Sequence, residues 1–257
     1  MPVIVNADDF GLSESVNRAI CDAFEKGLVN HTTLMANMPA AEEAAALARE
    51  KGFKTSVGLH LNLTEGFPLT AGIRDNPLIC APDGRFNAAF YYNTKYRLYM
   101  DTLMIEQIEA EFRAQMDRFL ALGLERLHLD SHHHVHTDYP VFLALKRLLK
   151  SYSVSYLRPG RNLYRGGNML KRIYKGLYNR GVRKLCHDQT SDLFGSYKDL
   201  MEYCHRDDTE LQALLRGRRV EIMTHPVEKD GKLSDGGTAF SYALNGDGLK
   251  RYDGEAE

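Results

Sequence analysis

The sequence has no apolar run that approaches the ~20 residues of a membrane-spanning helix. Residues 1–6 carry no basic charge and are followed by Asp8 and Asp9, so we expect no secretory signal peptide. The 4 cysteines lie far apart and form no C-x-x-C pair, which argues against a disulfide framework and a thiolate zinc site. We therefore expect a cytoplasmic protein with reduced thiols and no membrane partner.

Neither sign of charge is in excess, because 33 Lys and Arg residues face 34 Asp and Glu residues and leave a net charge of -1. This balance argues against a general polyanion binder. The chain also lacks a P-loop and a G-x-G-x-x-G motif, so no phosphate cradle of either type is expected. Its 44% hydrophobic and 26% charged residues are ordinary globular values, which exclude a disordered, collagenous or coiled-coil protein.

Short apolar stretches alternate with amphipathic ones along the first 60 residues. Residues 2–6, 32–37 and 55–61 have the pattern of strands, and residues 13–27 and 39–51 have the pattern of helices. The βαβαβ order predicts a parallel sheet with crossover helices. Further strands are predicted at 125–130, 154–157, 190–194 and 220–224, with helices after residue 101 and at 139–150 and 197–215. The length of 257 residues suits one (β/α) barrel, so we predict a single domain over 1–257.

Two segments depart from this alternation. Residues 64–100 are rich in glycine and proline, and we interpret them as a long loop insertion or lid. Between residues 86 and 99 this insertion carries six aromatic rings: Phe86, Phe90, Tyr91, Tyr92, Tyr96 and Tyr99. The tail after about residue 228 is rich in Gly, Asp and Lys, and we expect it to be loosely ordered.

Reactive side chains follow most of the predicted strands. In chain order they are Asp8, Asp9, His60, Asp130, His132, Arg158, Asp192 and His225. In a parallel barrel the carboxyl ends of all strands open on one face, and that face holds the active site. We therefore expect these residues, scattered over the sequence, to converge.

Five of the 10 histidines fall between His128 and His136. His132 and His136 would share a face on a helical turn, whereas His134 and His136 would share one on an extended chain. Imidazole suits zinc, iron and nickel, and a mixed set of imidazoles and carboxylates also accepts harder ions. We predict that at least one of these histidines binds a metal, with Asp130 orienting an imidazole from behind. A surface run without ligand function is the alternative.

The other candidates have two interpretations each. Asp8 and Asp9 point in different directions, so one could bind a cation while the other acts as a base, or both could serve a turn. His60 could be a ligand or a hydrogen-bonded strand residue. His225, before Pro226, could be a general acid or a turn residue.

Residues 158–184 contain nine basic residues interleaved with tyrosines, as in some nucleic-acid-binding faces. We favour a solvated helix face whose buried side comprises Leu170, Ile173, Leu177 and Val182. The charge balance of the whole chain agrees with this interpretation, and we expect no nucleic-acid partner.

Four motifs, NADDFG, GLHLNLTEG, HLDSHHHVH and EIMTHP, occur in the order found in the YdjC-like carbohydrate deacetylase family. The chain resembles this family from Val3 to about Pro226. The resemblance implies a distorted (β/α) barrel of the polysaccharide-deacetylase type. It also implies hydrolytic removal of N-acetyl groups from a short N-acetylated carbohydrate such as a chitooligosaccharide, with release of acetate.

The resemblance also implies roles for individual residues. One divalent metal ion, Mg²⁺ or Zn²⁺, would be held by Asp9, His60 and His132. Asp8 would be the catalytic base and His225 the general acid, and the residues near them would bind substrate or support the ligands: Asp130, Arg158, His133 and His134. The family often has glycine after its HP pair, whereas this chain has Val227, a departure that bears on the local turn.

A small carbohydrate is thus the expected partner, and a homodimer is left open. The rings of the insertion could stack on apolar sugar faces, or they could pack beneath the insertion.

Two other classes of protein compete with the deacetylase. Two histidines and a carboxylate also describe a non-haem iron oxygenase, and a non-catalytic metal- or carbohydrate-binding protein would need neither Asp8 nor His225. The βα order and the Asp8–Asp9 pair fit hydrolysis better.

Overall fold

A computed structural model describes residues 3–125, 127–154, 156–163, 168–187, 189–203, 208–246 and 248–252. Across these ranges, none of the helices combines the length and the apolar character that a membrane crossing requires.

The main sheet is built from seven strands of the described residues. They are β1 Val3–Phe10, β2 His31–Leu34, β3 Val57–Leu61, β4 His128–Ser131, β5 Tyr156–Leu157, β6 Leu193–Ser196 and β7 Val220–Thr224. Their order in the sheet is β5-β4-β3-β2-β1-β7-β6, and the pairs β1–β7, β6–β7 and β3–β4 are parallel. All residues of β3 and β7 are buried, as expected of parallel strands covered on both faces. The predicted α/β class with a parallel sheet is confirmed.

Helices separate the strands. They are α1 Glu14–Glu25, α2 Ala41–Glu50, α3 Ala71–Arg74, α4 Ala89–Tyr92, α5 Thr94–Leu98, α6 Thr102–Ala121, α7 Tyr139–Leu149, α8 Met169–Leu185, α9 Tyr197–Tyr203 and α10 Asp208–Leu215. Helix α6 begins where the sequence predicts, because the Asp101 side chain accepts a hydrogen bond from the Met104 amide at 2.8 Å. Its buried apolar stripe includes Ile108, Phe112 and Phe119.

Internal contacts group the chain into two compact units. The first unit comprises Met1–Asp8, Ser15–Thr32 and Leu157–Glu257, and the second comprises Asp9–Glu14 and Thr33–Tyr156. The single catalytic domain over 1–257 stays a prediction.

In the second unit, the insertion is fixed to α6 by a buried carboxylate. Glu111 accepts hydrogen bonds from the amides of Leu69 and Thr70 at 3.0 and 2.9 Å, and from the Thr70 hydroxyl at 2.7 Å. Phe86 and Phe90 are buried under the segment. The insertion therefore has a core and an anchor of its own, in addition to the short helices α3, α4 and α5.

In the first unit, the described tail is more regular than the sequence led us to expect. Strands β8 Pro226–Lys229, β9 Lys232–Asp235 and β10 Thr238–Ala239 are antiparallel, as are β11 Tyr242–Asn245 and β12 Gly248–Arg251. Asp230 and Gly231 both have positive φ, at 53° and 73°, which is the backbone of a two-residue hairpin turn. The Asp-Gly pair is a local signal for a hairpin turn, and the expectation of a loosely ordered tail, based on composition, overlooked it.

The orientation of α8 also differs from our expectation. Leu170, Ile173 and Leu177 are 76%, 50% and 61% exposed, and of the four residues expected on the buried side only Val182 is buried. The helix instead turns Asn179 inward, where its side chain bonds the Gly160 amide at 2.7 Å and the Gly160 carbonyl at 3.0 Å. This backbone pairing fixes the inward face, so the apolar residues on the opposite side lie in solvent.

Candidate functional site

Three residues predicted as metal ligands come together in the second unit. Asp9 Oδ1 lies 2.7 Å from His132 Nδ1 and 3.2 Å from His60 Nε2. The potential ligand atoms of the three side chains all lie within 4.8 Å of one another. Two imidazoles and one carboxylate are therefore close enough to share a single ion.

The parallel pairing of β3 and β4 explains part of this convergence. The register pairs His60 with Asp130 and Leu61 with Ser131, and His132 is the first residue after β4. Both strands therefore deliver their histidines at the same edge of the sheet. Asp9 lies near the end of β1 with φ of 71°, a left-handed backbone that few residues adopt and that Asp tolerates better than most.

Asp130 fixes the orientation of His60. The Nδ1 atom of His60 lies 2.7 Å from Asp130 Oδ1, and the Thr33 hydroxyl donates to Asp130 Oδ2 at 2.9 Å. His60 and Asp130 are buried, with side chains 1% and 0% exposed. The proton on Nδ1 is shared with Asp130, and an ion in place of the proton between Nε2 and Asp9 would take both the Nε2 lone pair and the carboxylate as ligands. Asp130 thus has the position of a carboxylate that supports a ligand histidine.

The two imidazoles also act on Asp9. Burial raises the pKa of Asp9. The hydrogen bonds and charges of His132 and His60 together lower it by more than burial raises it, so the pKa lies well below its usual value. Asp9 is therefore ionised at neutral pH, which is the form that binds a metal.

A short 3-10 helix, His132–Thr137, carries most of the histidine run. His133 and His134 have left-handed backbones, with φ of 53° and 56°, which breaks the helical spacing that would pair His132 with His136. His136 is buried instead, and its Nδ1 lies 2.5 Å from the Ser131 hydroxyl. The ring of His133 lies 4.2 Å from that of His132, and His134 lies 6.4 Å from His136 at nearly a right angle.

A buried ion pair lies in the first unit. Arg158 is fully buried and donates from Nη1 and Nη2 to the two carboxylate oxygens of Asp8, each at 2.7 Å. Its Nε donates to Glu221 at 2.7 Å, and its guanidinium lies 4.7 Å from the centre of the Phe194 ring. Asn6 donates a further hydrogen bond to Asp8 at 2.8 Å. A bidentate pair in such surroundings holds the Asp8 carboxylate in one orientation.

His225 follows β7 directly. The register of β1 and β7 pairs Ala7 with Thr224, so Asp8 and His225 are the next residues on two neighbouring parallel strands. The amide of His225 and the hydroxyl of Thr224 donate to Asp235 at 2.7 and 3.0 Å.

Val227, where the family often has glycine, lies in β8 opposite Ser234, and a strand position of this kind does not need glycine.

Sequence reasoning missed three supporting residues. Glu221 had a signal, because a charged residue inside a buried strand needs a partner. Thr33 and Asp235 had none, since a hydroxyl in a strand and an acid in a polar tail are ordinary. The roles of Thr33 and Asp235 follow from their hydrogen-bond partners rather than from their neighbours in the sequence.

Comparison with known proteins gives a consistent set of matches. The family described as YdjC-like protein matches residues 2–255. A carbohydrate deacetylase of Halalkalibacterium halodurans is 39% identical over 207 residues, covering 80% of this chain and 84% of the relative. Another, of Brevibacillus brevis, is 35% identical over 250 residues, covering 95% and 87%. A crystal structure from Enterococcus faecalis V583, provisionally described as a cellobiose-phosphate cleavage protein, matches with a TM-score of 0.63 and 27% identity, over 89% of this chain and 82% of that one.

Proposed function

We propose that this chain, which belongs to the YdjC-like family and has relatives named carbohydrate deacetylases, is a metal-dependent hydrolase. Its substrate is a short N-acetylated carbohydrate such as a chitooligosaccharide. The observation that carries the proposal is the cluster of Asp9, His60 and His132, with Asp130 behind His60. The proposed catalytic domain extends over the whole chain, and its place is the cytoplasm.

The donor set fits one divalent ion, Zn²⁺ or Mg²⁺. Asp9 supplies an anionic oxygen, and His60 and His132 supply nitrogens close to it. An ion bound there would lower the pKa of a coordinated water and polarise the amide carbonyl of the substrate. The proposed role of His133 and His134 is to support the 3-10 helix in which His132 lies.

Asp8 is the proposed base that takes the proton of the attacking water. It immediately precedes Asp9 in the chain, and Arg158 holds both of its oxygens. Asp8 Oδ1 accepts from both Arg158 and Asn6, whereas Oδ2 accepts from Arg158, so Oδ2 is the proposed atom that takes the proton. Arg158 thereby positions Asp8 without removing its basic function.

His225 is the proposed acid that protonates the departing amine of the sugar. An imidazole side chain can give a proton and take one up, which suits a general acid. The bond from its amide to Asp235 fixes the backbone that carries the ring. The products are acetate and a sugar with a free amine.

The experiment that tests the proposal is acetate release from a panel of N-acetylated sugars, together with metal analysis of the purified protein. Release of acetate that stops on chelation and returns with Zn²⁺ or Mg²⁺ would support it. A metal-bound protein that binds sugar without releasing acetate would be a non-catalytic binding protein. Consumption of oxygen with a 2-oxo acid would identify an iron oxygenase.

A further inference from the structure

A continuous series of rings leads from the proposed metal ligand His132 into the insertion. The ring of His133 lies 4.2 Å from that of His132, and Tyr91 of α4 stacks on His133 at 5.2 Å with an angle of 21° between the planes. Tyr92 then meets Tyr91 edge to face, with 5.3 Å between the ring centres. All of these residues belong to the second unit.

Two side chains contact the ring of Tyr91. His133 covers one face of its ring, and the guanidinium carbon of Arg97 lies 5.4 Å from the ring centre. Arg97 is fixed in turn by Asp138, whose side chain is 3% exposed and accepts from Arg97 Nε at 2.8 Å. Phe90, fully buried, anchors the same short helix from below. Tyr91 therefore serves to hold α4 in place.

Tyr92 is different, because it is 77% exposed although its helix is anchored by Phe90 and Tyr91. Fixing the segment that carries an exposed aromatic ring reduces the entropy lost when a ligand packs on the ring. Aromatic side chains lining a site supply much of the apolar contact area for small ligands. The exposed ring of Tyr92 is thus preorganised for contact.

We propose that Tyr92 is a sugar-binding residue that stacks on the pyranose next to the one being deacetylated, and that Tyr91, Arg97 and Asp138 position it. The proposal rests on the proposed function and adds a residue that sets the preference for oligosaccharides. The ring series makes Tyr92 the third ring from His132, so it contacts a neighbouring sugar unit rather than the reacting one.

The other aromatic residues between 86 and 99 do not fit this role. Phe86 and Phe90 are buried, which agrees with packing beneath the insertion. Tyr96 is covered in part by Lys95, whose ammonium lies 5.7 Å from the ring centre. Tyr99 is 66% exposed, and none of the ring contacts found in the described part of the chain joins it to the series. Tyr99 is therefore a matched control of the same residue type in the same segment.

The first test is steady-state kinetics on N-acetylglucosamine and on its β-1,4-linked trimer with Tyr92→Ala, Tyr92→Phe and Tyr99→Ala. Tyr92→Ala should raise KM for the trimer about three- to tenfold with little change in kcat, and should leave the monosaccharide unaffected. Tyr92→Phe keeps the ring and should behave like the parent, as should Tyr99→Ala. Equal effects of Tyr92→Ala and Tyr99→Ala would overturn the proposal.

The second test does not depend on turnover. Calorimetry with cellotriose measures stacking directly, because this trimer offers β-1,4-linked pyranose faces but has no acetyl group to lose. Tyr92→Ala should weaken its binding by the same factor as KM, and Tyr99→Ala should not. Unchanged cellotriose binding by Tyr92→Ala, or none by the parent, would overturn the role of Tyr92. Absence of acetate release by the parent would instead refute the deacetylase proposal.

Discussion

Asp130 and His60 form a buried hydrogen bond of 2.7 Å between Oδ1 and Nδ1, and this bond determines which imidazole nitrogen faces Asp9. In the proposed metal site this carboxylate would lie behind His60 rather than beside the ion. It would act by holding the ring and by increasing the basicity of Nε2.

Asp130→Asn should therefore weaken metal binding while leaving the fold intact. Asparagine retains an oxygen that can accept from Nδ1 but loses the negative charge. We expect a 10–100-fold loss of affinity, about the range for supporting residues of this kind. Competition with a coloured chelator measures it, and Asp117→Asn, an exposed partner of Tyr152, is the control. Identical affinities for Asp130→Asn and the parent would contradict this role.

His132→Ala and His134→Ala should differ in metal content. His132 lies 2.7 Å from Asp9, whereas His134 packs against His136. Atomic emission analysis of the purified variants should show a nearly empty site only in His132→Ala. Equal loss in the two variants would mean that the ligand has been misidentified within the run.

Asp8→Asn should retain metal and lose turnover. The amide can still accept one hydrogen bond from Arg158, but it cannot take a proton from water. General bases contribute about 10²–10⁴-fold, and acetate release should fall by such a factor. Metal content and circular dichroism show whether the site and fold survive. Near-normal activity would shift the base to another residue, with Asp130 the first to examine.

Stability should depend on pH through Asp138. Burial raises its pKa to about 6, although the charge and hydrogen bond of Arg97 lower it. Because the folded pKa exceeds the unfolded value of 3.8, protonation favours the folded state. This contribution, about 3 kcal/mol at most, is complete below pH ~4 and is lost as the pH rises through ~6.

The thermal midpoints of the parent and Asp138→Asn should therefore converge or cross over this interval. The parent should lose stability relative to the variant between pH 4.5 and 7, because asparagine cannot ionise. Asp83→Asn, at an exposed pair with Arg85, serves as the control and should track the parent. Parallel curves for the parent and Asp138→Asn would show that Asp138 does not titrate in this range.

The sequence predicted the strands and the residues at their ends better than it predicted which helix side chains are exposed. Periodicity located β7, and the order of strands and helices placed His60 and His132 at strand ends, because alternation and connection length are local properties. The outward turn of Leu170 on α8 was not predictable in this way. It follows from the pairing of Asn179 with Gly160, a contact that no local pattern encodes.

The series of ring contacts from His132 to Tyr92 could likewise not be predicted from the sequence. The six aromatic residues between 86 and 99 had the same two interpretations, and burial together with ring contacts separates them. The left-handed backbone of His133 brings its ring against Tyr91, and a run of five histidines does not indicate which of them will adopt it.

Asp235 joins β9 to the end of β7 through Thr224 and His225. A protease that cuts the Asp230–Gly231 hairpin turn would leave every residue of the predicted site in place. The severed strand, however, would be free to leave, and His225 would lose the acceptor for its amide. We therefore expect a nick at this turn to spare the proposed metal ligands and to disturb the proposed acid His225.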